Sequence, residues 1–142
     1  MLRQMLVLGS FGLLIIVALS GCSKEVAKAD LVTVGRSDLS GPHSFCNLVK
    51  EGTDKGKLVV TVKNQGNANA PDSTTRVEFG FGGSLQLPTP AITAGGFVEL
   101  PPLSIPATCY NPDCEFKITV DSTNQINESN KENNTASGLC RR

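Results

Sequence analysis

Tryptophan is absent from the 142 residues and histidine occurs once, while Gly 14 and Pro 8 stand beside many Asn, Ser and Thr. That composition describes a chain rich in turns and poor in long helices. The single histidine, His43, follows Pro42 and has no patterned Ser, Cys or carboxylate around it, so it reads as a surface loop residue and not a general base. No nucleophile elbow is present. Gly80-Phe81-Gly82-Gly83 lacks the Lys-Ser or Lys-Thr and the following helix of a phosphate loop, and reads as a turn after a strand. An excess of one charge is missing too: 13 Lys and Arg balance 13 Asp and Glu. Without a basic cluster, no nucleic-acid partner and no electrostatic membrane patch are expected. With no residues from which to build a catalytic cleft, no enzymatic activity is expected either.

One long apolar run exists, Met5 to Leu19 behind Arg3, in the order basic, apolar, small that marks a secretory signal. It ends in Leu19-Ser20-Gly21-Cys22, which resembles the lipobox of bacterial lipoproteins. That resemblance implies removal of residues 1–21 and a diacylglyceryl group on Cys22. An uncleaved transmembrane anchor is the weaker reading, because a run ending by Gly21 is marginal for about 30 Å of hydrocarbon. Ser23 follows the cysteine, not Asp, which implies the outer membrane in a Gram-negative host and the outer face of the cell membrane in a host with one membrane. Residues 22–30 are polar and read as a lipidated tether. Residues 31–142 have room for one domain.

Cys22 taken by lipid leaves Cys46, Cys109, Cys114 and Cys140, an even set in an oxidising compartment. Four cysteines allow three pairings. The segment Cys109-Tyr110-Asn111-Pro112-Asp113-Cys114 reads as a turn whose ends can meet, favouring Cys109–Cys114 and leaving Cys46–Cys140. Chain entropy suggests about 4 to 5 kcal/mol for the long closure and about 2 for the short one. A four-thiolate zinc site is disfavoured, since paired Cys-x-x-Cys knuckles are missing.

Period-two alternation marks the strands. Leu31 to Val34 is a first strand. In Lys57 to Lys63, Leu58, Val60 and Val62 share one face, and Asn64-Gln65-Gly66-Asn67 turns the chain. In Thr75 to Phe81, Val77, Phe79 and Phe81 share a face. Pro88 and Pro90 break the next stretch, Ala94-Gly95-Gly96 is a turn, and Phe97 to Leu100 is a strand. Prolines 101, 102 and 106 restrict Leu103 to Ile105 to edge pairing or extended loop. Glu115 to Asp121 points Phe116, Ile118 and Val120 inward, and Asn134 to Cys140 closes the chain. About seven short strands predict an all-β antiparallel sandwich.

The run Leu58 to Ala68, the Ala94-Gly95-Gly96 turn and the ending Ile118 to Asn130 with Asn133-Asn134 resemble the CARDB domain, the cell-adhesion-related domain of bacteria. The resemblance covers roughly Leu31 to Leu139. It implies a seven-stranded immunoglobulin-like β-sandwich of the kind found on bacterial and archaeal surface proteins. The four cysteines depart from the family pattern, as does Lys131, which stands where Glu is usual before the paired Asn.

The polar stretch Asp121 to Asn134 is the one place with a candidate ion site. Asp121, Asn124, Glu128 and Glu132 are oxygen ligands of the kind calcium takes. Ile126 stands at the sixth position, where an EF-hand loop needs Gly, so the spacing is not that of an EF-hand. Asp and Asn side chains bonding nearby backbone explain the composition without an ion. The Phe side chains and Tyr110 read as core or loop packing, with Tyr110 the candidate aromatic contact to a partner. Two functions fit: a membrane-anchored binding or adhesion module for an envelope protein or glycan, or a structural spacer in an envelope assembly. An open edge strand or exposed apolar patch favours the first, and edges protected on both sides favour the second.

Overall fold

The computed structural model describes residues 26–142. The signal segment 1–21 and the lipidation site Cys22 lie outside them. Seven strands form: β1 (Leu31–Val34), β2 (Thr61–Asn64), β3 (Ser73–Phe79), β4 (Gly83–Thr89), β5 (Phe97–Glu99), β6 (Cys114–Thr119) and β7 (Thr135–Cys140). Two 3-10 turns, Gly41–Phe45 and Ala107–Cys109, are the only helical pieces among the described residues.

The strands make a three-stranded sheet ordered β1-β2-β5 and a four-stranded sheet ordered β4-β3-β6-β7, with every neighbouring pair antiparallel. Hairpins join β3 to β4 and β6 to β7 within one sheet, whereas the chain changes sheet after β2, β4 and β5. This is the antiparallel sandwich that the alternation predicts, in the immunoglobulin-like form that the CARDB resemblance implies. The alternating side chains meet in the middle: Leu31, Leu58, Val60, Val62 and Leu100 come from one layer, and Val77, Phe79, Phe116, Ile118 and Val120 from the other, all buried. Each fully buried aliphatic side chain there contributes about 1.5–3 kcal/mol.

The four-stranded sheet has one position with no room for a side chain. Gly138 lies opposite Phe116 in the ladder, and a Cβ on it would run into the Phe116 ring. That ring packs on Phe79 with centroids 6.2 Å apart, so shifting it disturbs its aromatic neighbour. Gly138→Ala should therefore destabilise the domain by about 1–3 kcal/mol, the usual cost of overpacking, as read by chemical denaturation. An unchanged midpoint would mean that the Phe79–Phe116 pair repacks freely.

Three expectations need correction. Pro88 and Pro90 do not abolish the strand before Ala94: β4 runs through Pro88, because β4 is the sheet edge and an edge strand tolerates a residue without an N–H. For Leu103 to Ile105 the extended loop holds of the two options that the prolines leave; a single bridge, with Leu58 and Leu103 exchanging N–H and C=O, ties it to the core. Phe81 and Phe97 are not packed but 61% and 69% exposed, since Phe81 falls in the hairpin turn and Phe97 on the outer face of β5. Finally, the tether is shorter than residues 22–30. Ala29 is buried, its carbonyl accepts from Ser129 N, and the Lys28 carbonyl accepts from Asn67 N and Ala68 N.

Candidate functional site

Two regions gather the groups that could do chemistry or recognition: the polar loop between β6 and β7, and the side of the sandwich where β4 and β5 leave their edges unpaired.

In the polar loop the carboxylates are turned onto the protein itself. Asp121, with φ 42° and 3% exposed, accepts from Gln125 N at 3.0 Å and Ile126 N at 2.9 Å, folding the chain so that Ile126 plugs the core. Glu128 is buried and accepts from Leu31 N and from Asn134 Nδ2, each at 2.6 Å, so it ties the first strand to the loop that leads into the last. Asn124 accepts from the Lys131 ammonium, while Glu132 is exposed. The four candidate calcium ligands are thus spread over different tasks. Among the described residues no three His, Cys, Asp or Glu side chains gather to hold a metal ion. Asn133 Oδ1 and Asn134 Oδ1 are buried without a partner, but two neutral amide oxygens fall far short of the roughly 6–8 oxygens that Ca²⁺ takes. Calcium or a chelator should accordingly leave the melting temperature unchanged in scanning calorimetry. A rise of several degrees, which about 1.4 kcal/mol from a site at ten times its dissociation constant produces, would contradict this.

A second polar clamp, Asn64, has no place among the site residues expected from the sequence. It is fully buried at the end of β2; its Oδ1 accepts from Asp30 N and Gly66 N, and its Nδ2 donates to the carbonyls of Ala68 and Ile92. Asn-x-Gly at a strand end is the signal that marks it, because Gly66 is where the backbone of Lys28 and Ala29 comes so close that no Cβ fits.

The remaining expected residues are placed as follows. Cys46 and Cys140 are bonded with Cα atoms 5.2 Å apart, and Cys109 and Cys114 with Cα atoms 4.8 Å apart. Tyr110 is half-buried and packs against the core. His43 lies in the 3-10 turn over β7, its Nδ1 3.2 Å from the Leu139 carbonyl, so an Nδ1–H there would fasten the turn. The pair Arg36–Asp38 is exposed, and the Arg36 hydrogen bond holds the Asp38 carboxyl below its ordinary range.

The two sides of the sandwich differ. On one, the turn Gly41–Phe45 lies over β7 and is fastened there by His43 and by Cys46–Cys140. On the other, β5 is only three residues long and runs into Pro101-Pro102, whereas β4 has seven residues, Gly-Ser-Leu-Gln-Leu-Pro-Thr, and no charge. Leu85 opposes the inward-facing Val77, yet is 41% exposed, because no further strand covers it. Where β4 ends, a groove of about 430 Å³ opens between the two edges, floored by Pro88, Pro90, Val98, Leu100 and Pro101 and with Asp72 and Glu99 in its lining.

Comparison with known proteins adds the following. The CARDB family model matches residues 46–138. The fold is similar to that of a CARDB domain from Pyrococcus furiosus, solved in complex with di-metal ions, at 20% identity and TM-score 0.50 over 80% of this chain and 88% of that one. It is also similar to a domain, residues 272–376, of a Methanosarcina acetivorans protein assigned to the cell surface, at 19% identity and TM-score 0.58 over 80% and 91%. No curated protein matches the sequence.

Proposed function

Because the chain belongs to the CARDB family, we propose that it is a cell-envelope binding module, anchored by a lipid on Cys22, that takes an extended apolar segment of a partner protein along the open edge of β4. The observation that carries this reading is the contrast between the two sides of the sandwich. A spacer needs both sides closed, since an unpaired strand recruits other chains. Here the β7 side is covered and the β4 side is bare. Main-chain groups of β4 supply hydrogen bonds to an added strand, and the alternation of side chains along that strand would place apolar ones against the inner-face side chains Leu85 and Leu87 of β4 and Val98 of β5. Disulfides and the likeness to a surface domain support an exported location. No catalytic step belongs to the proposal: His43 Nδ1 lies against the Leu139 carbonyl, and the Arg36–Asp38 pair is at the surface.

Lipid anchoring is tested by growing cells with labelled palmitate and fractionating them. The natural chain should carry label and sediment with the membranes, and Cys22→Ala should do neither. A Cys22→Ala chain that stayed in the membrane fraction would replace lipid anchoring with an uncleaved apolar anchor.

A further inference from the structure

Cys114 and Cys140 belong to different disulfides, yet they stand directly opposite each other in the β6–β7 ladder. Both are fully buried on the inner face. Opposed residues of an antiparallel pair hold their Cα atoms about 4.5–5.5 Å apart, inside the roughly 4.4–6.8 Å that a disulfide spans. Each is therefore placed as well for the other as for its own partner, whose Cα lies 5.2 Å from Cys140 and 4.8 Å from Cys114.

We propose that the four cysteines form a single thiol–disulfide exchange site in which Cys114–Cys140 is a third bridge connecting the two others. Cys46 is the point of attack, for it is only partly buried while Cys109, Cys114 and Cys140 are at most 1% exposed. An external thiolate, from a small thiol of the glutathione class or the reactive cysteine of a thiol–disulfide oxidoreductase, attacks Cys46 Sγ. The Cys46–Cys140 bond breaks, a mixed disulfide forms on Cys46, and the electron pair leaves on Cys140 Sγ. That thiolate attacks Cys114 Sγ, the Cys114–Cys140 bond forms, and the pair leaves on Cys109 Sγ, which takes a proton from water. One thiolate has been consumed and one released, and the number of disulfides is unchanged. The structural result is that the β6–β7 hairpin gains a staple across its ladder while the segment before Cys46, including the turn over β7, loses its covalent hold.

Two measurements test this on the full chain. In Cys46→Ala/Cys109→Ala, only Cys114 and Cys140 of the four remain. In an oxidising glutathione buffer the folded protein should acquire a Cys114–Cys140 disulfide, read as a mass two hydrogens lower and a linked peptide pair after digestion. Two free thiols in a variant with a native circular dichroism spectrum would overturn the proposal. Should that variant fail to fold, the natural chain decides: brief exposure to reduced glutathione followed by alkylation should yield peptides linked through Cys114 and Cys140 with glutathione on Cys46. Cys109–Cys114 remaining intact beside an alkylated Cys140 would overturn it.

Discussion

Replacing Cys46 and Cys140 together by Ala should lower the unfolding free energy by about 4–5 kcal/mol, whereas replacing Cys109 and Cys114 should cost about 2. The difference comes from the unfolded chain. The first bridge joins residues 94 apart, so cutting it frees a loop that is most of the domain; the second joins residues five apart. Native packing pushes the same way. Without Cys46–Cys140 the turn Gly41–Phe45 is held to β7 by little beyond the His43 contact with Leu139 and apolar packing. Domains of this size have about 5–15 kcal/mol in total, so the first variant is expected to be partly unfolded at 37 °C and the second fully folded. Equilibrium denaturation of both, with the midpoints compared, measures the ranking. Equal losses would mean that chain entropy does not govern these bridges.

The second large effect is expected at Glu128. Its carboxylate takes the Leu31 N–H and the Asn134 side-chain amide, both in the interior. Glu128→Ala leaves two buried donors without an acceptor, each costing about 1–3 kcal/mol, so a loss of about 2–5 kcal/mol is expected. Glu128→Gln keeps the shape but brings an amide N–H₂ toward one of two donors and should lose a smaller share of the same stability. Hydrogen exchange gives a local readout: the Leu31 amide should lose protection in both variants relative to Val62, which lies in the central strand β2 between Thr33 and Val98. Full protection of Leu31 in Glu128→Ala would assign the anchoring of β1 to its ladder with β2 alone.

These two positions differ in how plainly the sequence announces them. An even cysteine set with a turn between two of them is readable from spacing, and the pairing Cys109–Cys114 and Cys46–Cys140 stands in the structure. The core was equally open to reading, because Leu58, Val60 and Val62, and likewise Phe116, Ile118 and Val120, alternate without interruption. Glu128 shows as one acidic residue in a polar run, and its burial depends on Leu31, 97 residues away, which no local pattern encodes. Asn64 has the same character, as its partners Asp30 and Ile92 lie far off in the chain. Strand β4 escaped for another reason: proline within an apolar alternation argues against a central strand, but says nothing against an edge. Period two also places a side chain on a face without telling whether that face is covered, which is how Phe81 and Phe97 come to be exposed.

The open edge of β4 bears the functional claim, and its direct test is site-specific photo-crosslinking in cells from position Gln86 on β4, with Lys117, on the outer face of the same sheet, as the reference position. Ser84→Lys is the companion variant, because lysine is what natural edge strands use to refuse a partner; Ser84 faces away from the core, so the melting temperature should hold. The account predicts a discrete protein adduct from position 86 only, lost with Cys22→Ala and reduced about tenfold or more by the lysine, the effect of roughly 1.4 kcal/mol. Adducts that form equally from positions 86 and 117 and ignore the lysine would contradict it, and would leave the domain as a spacer.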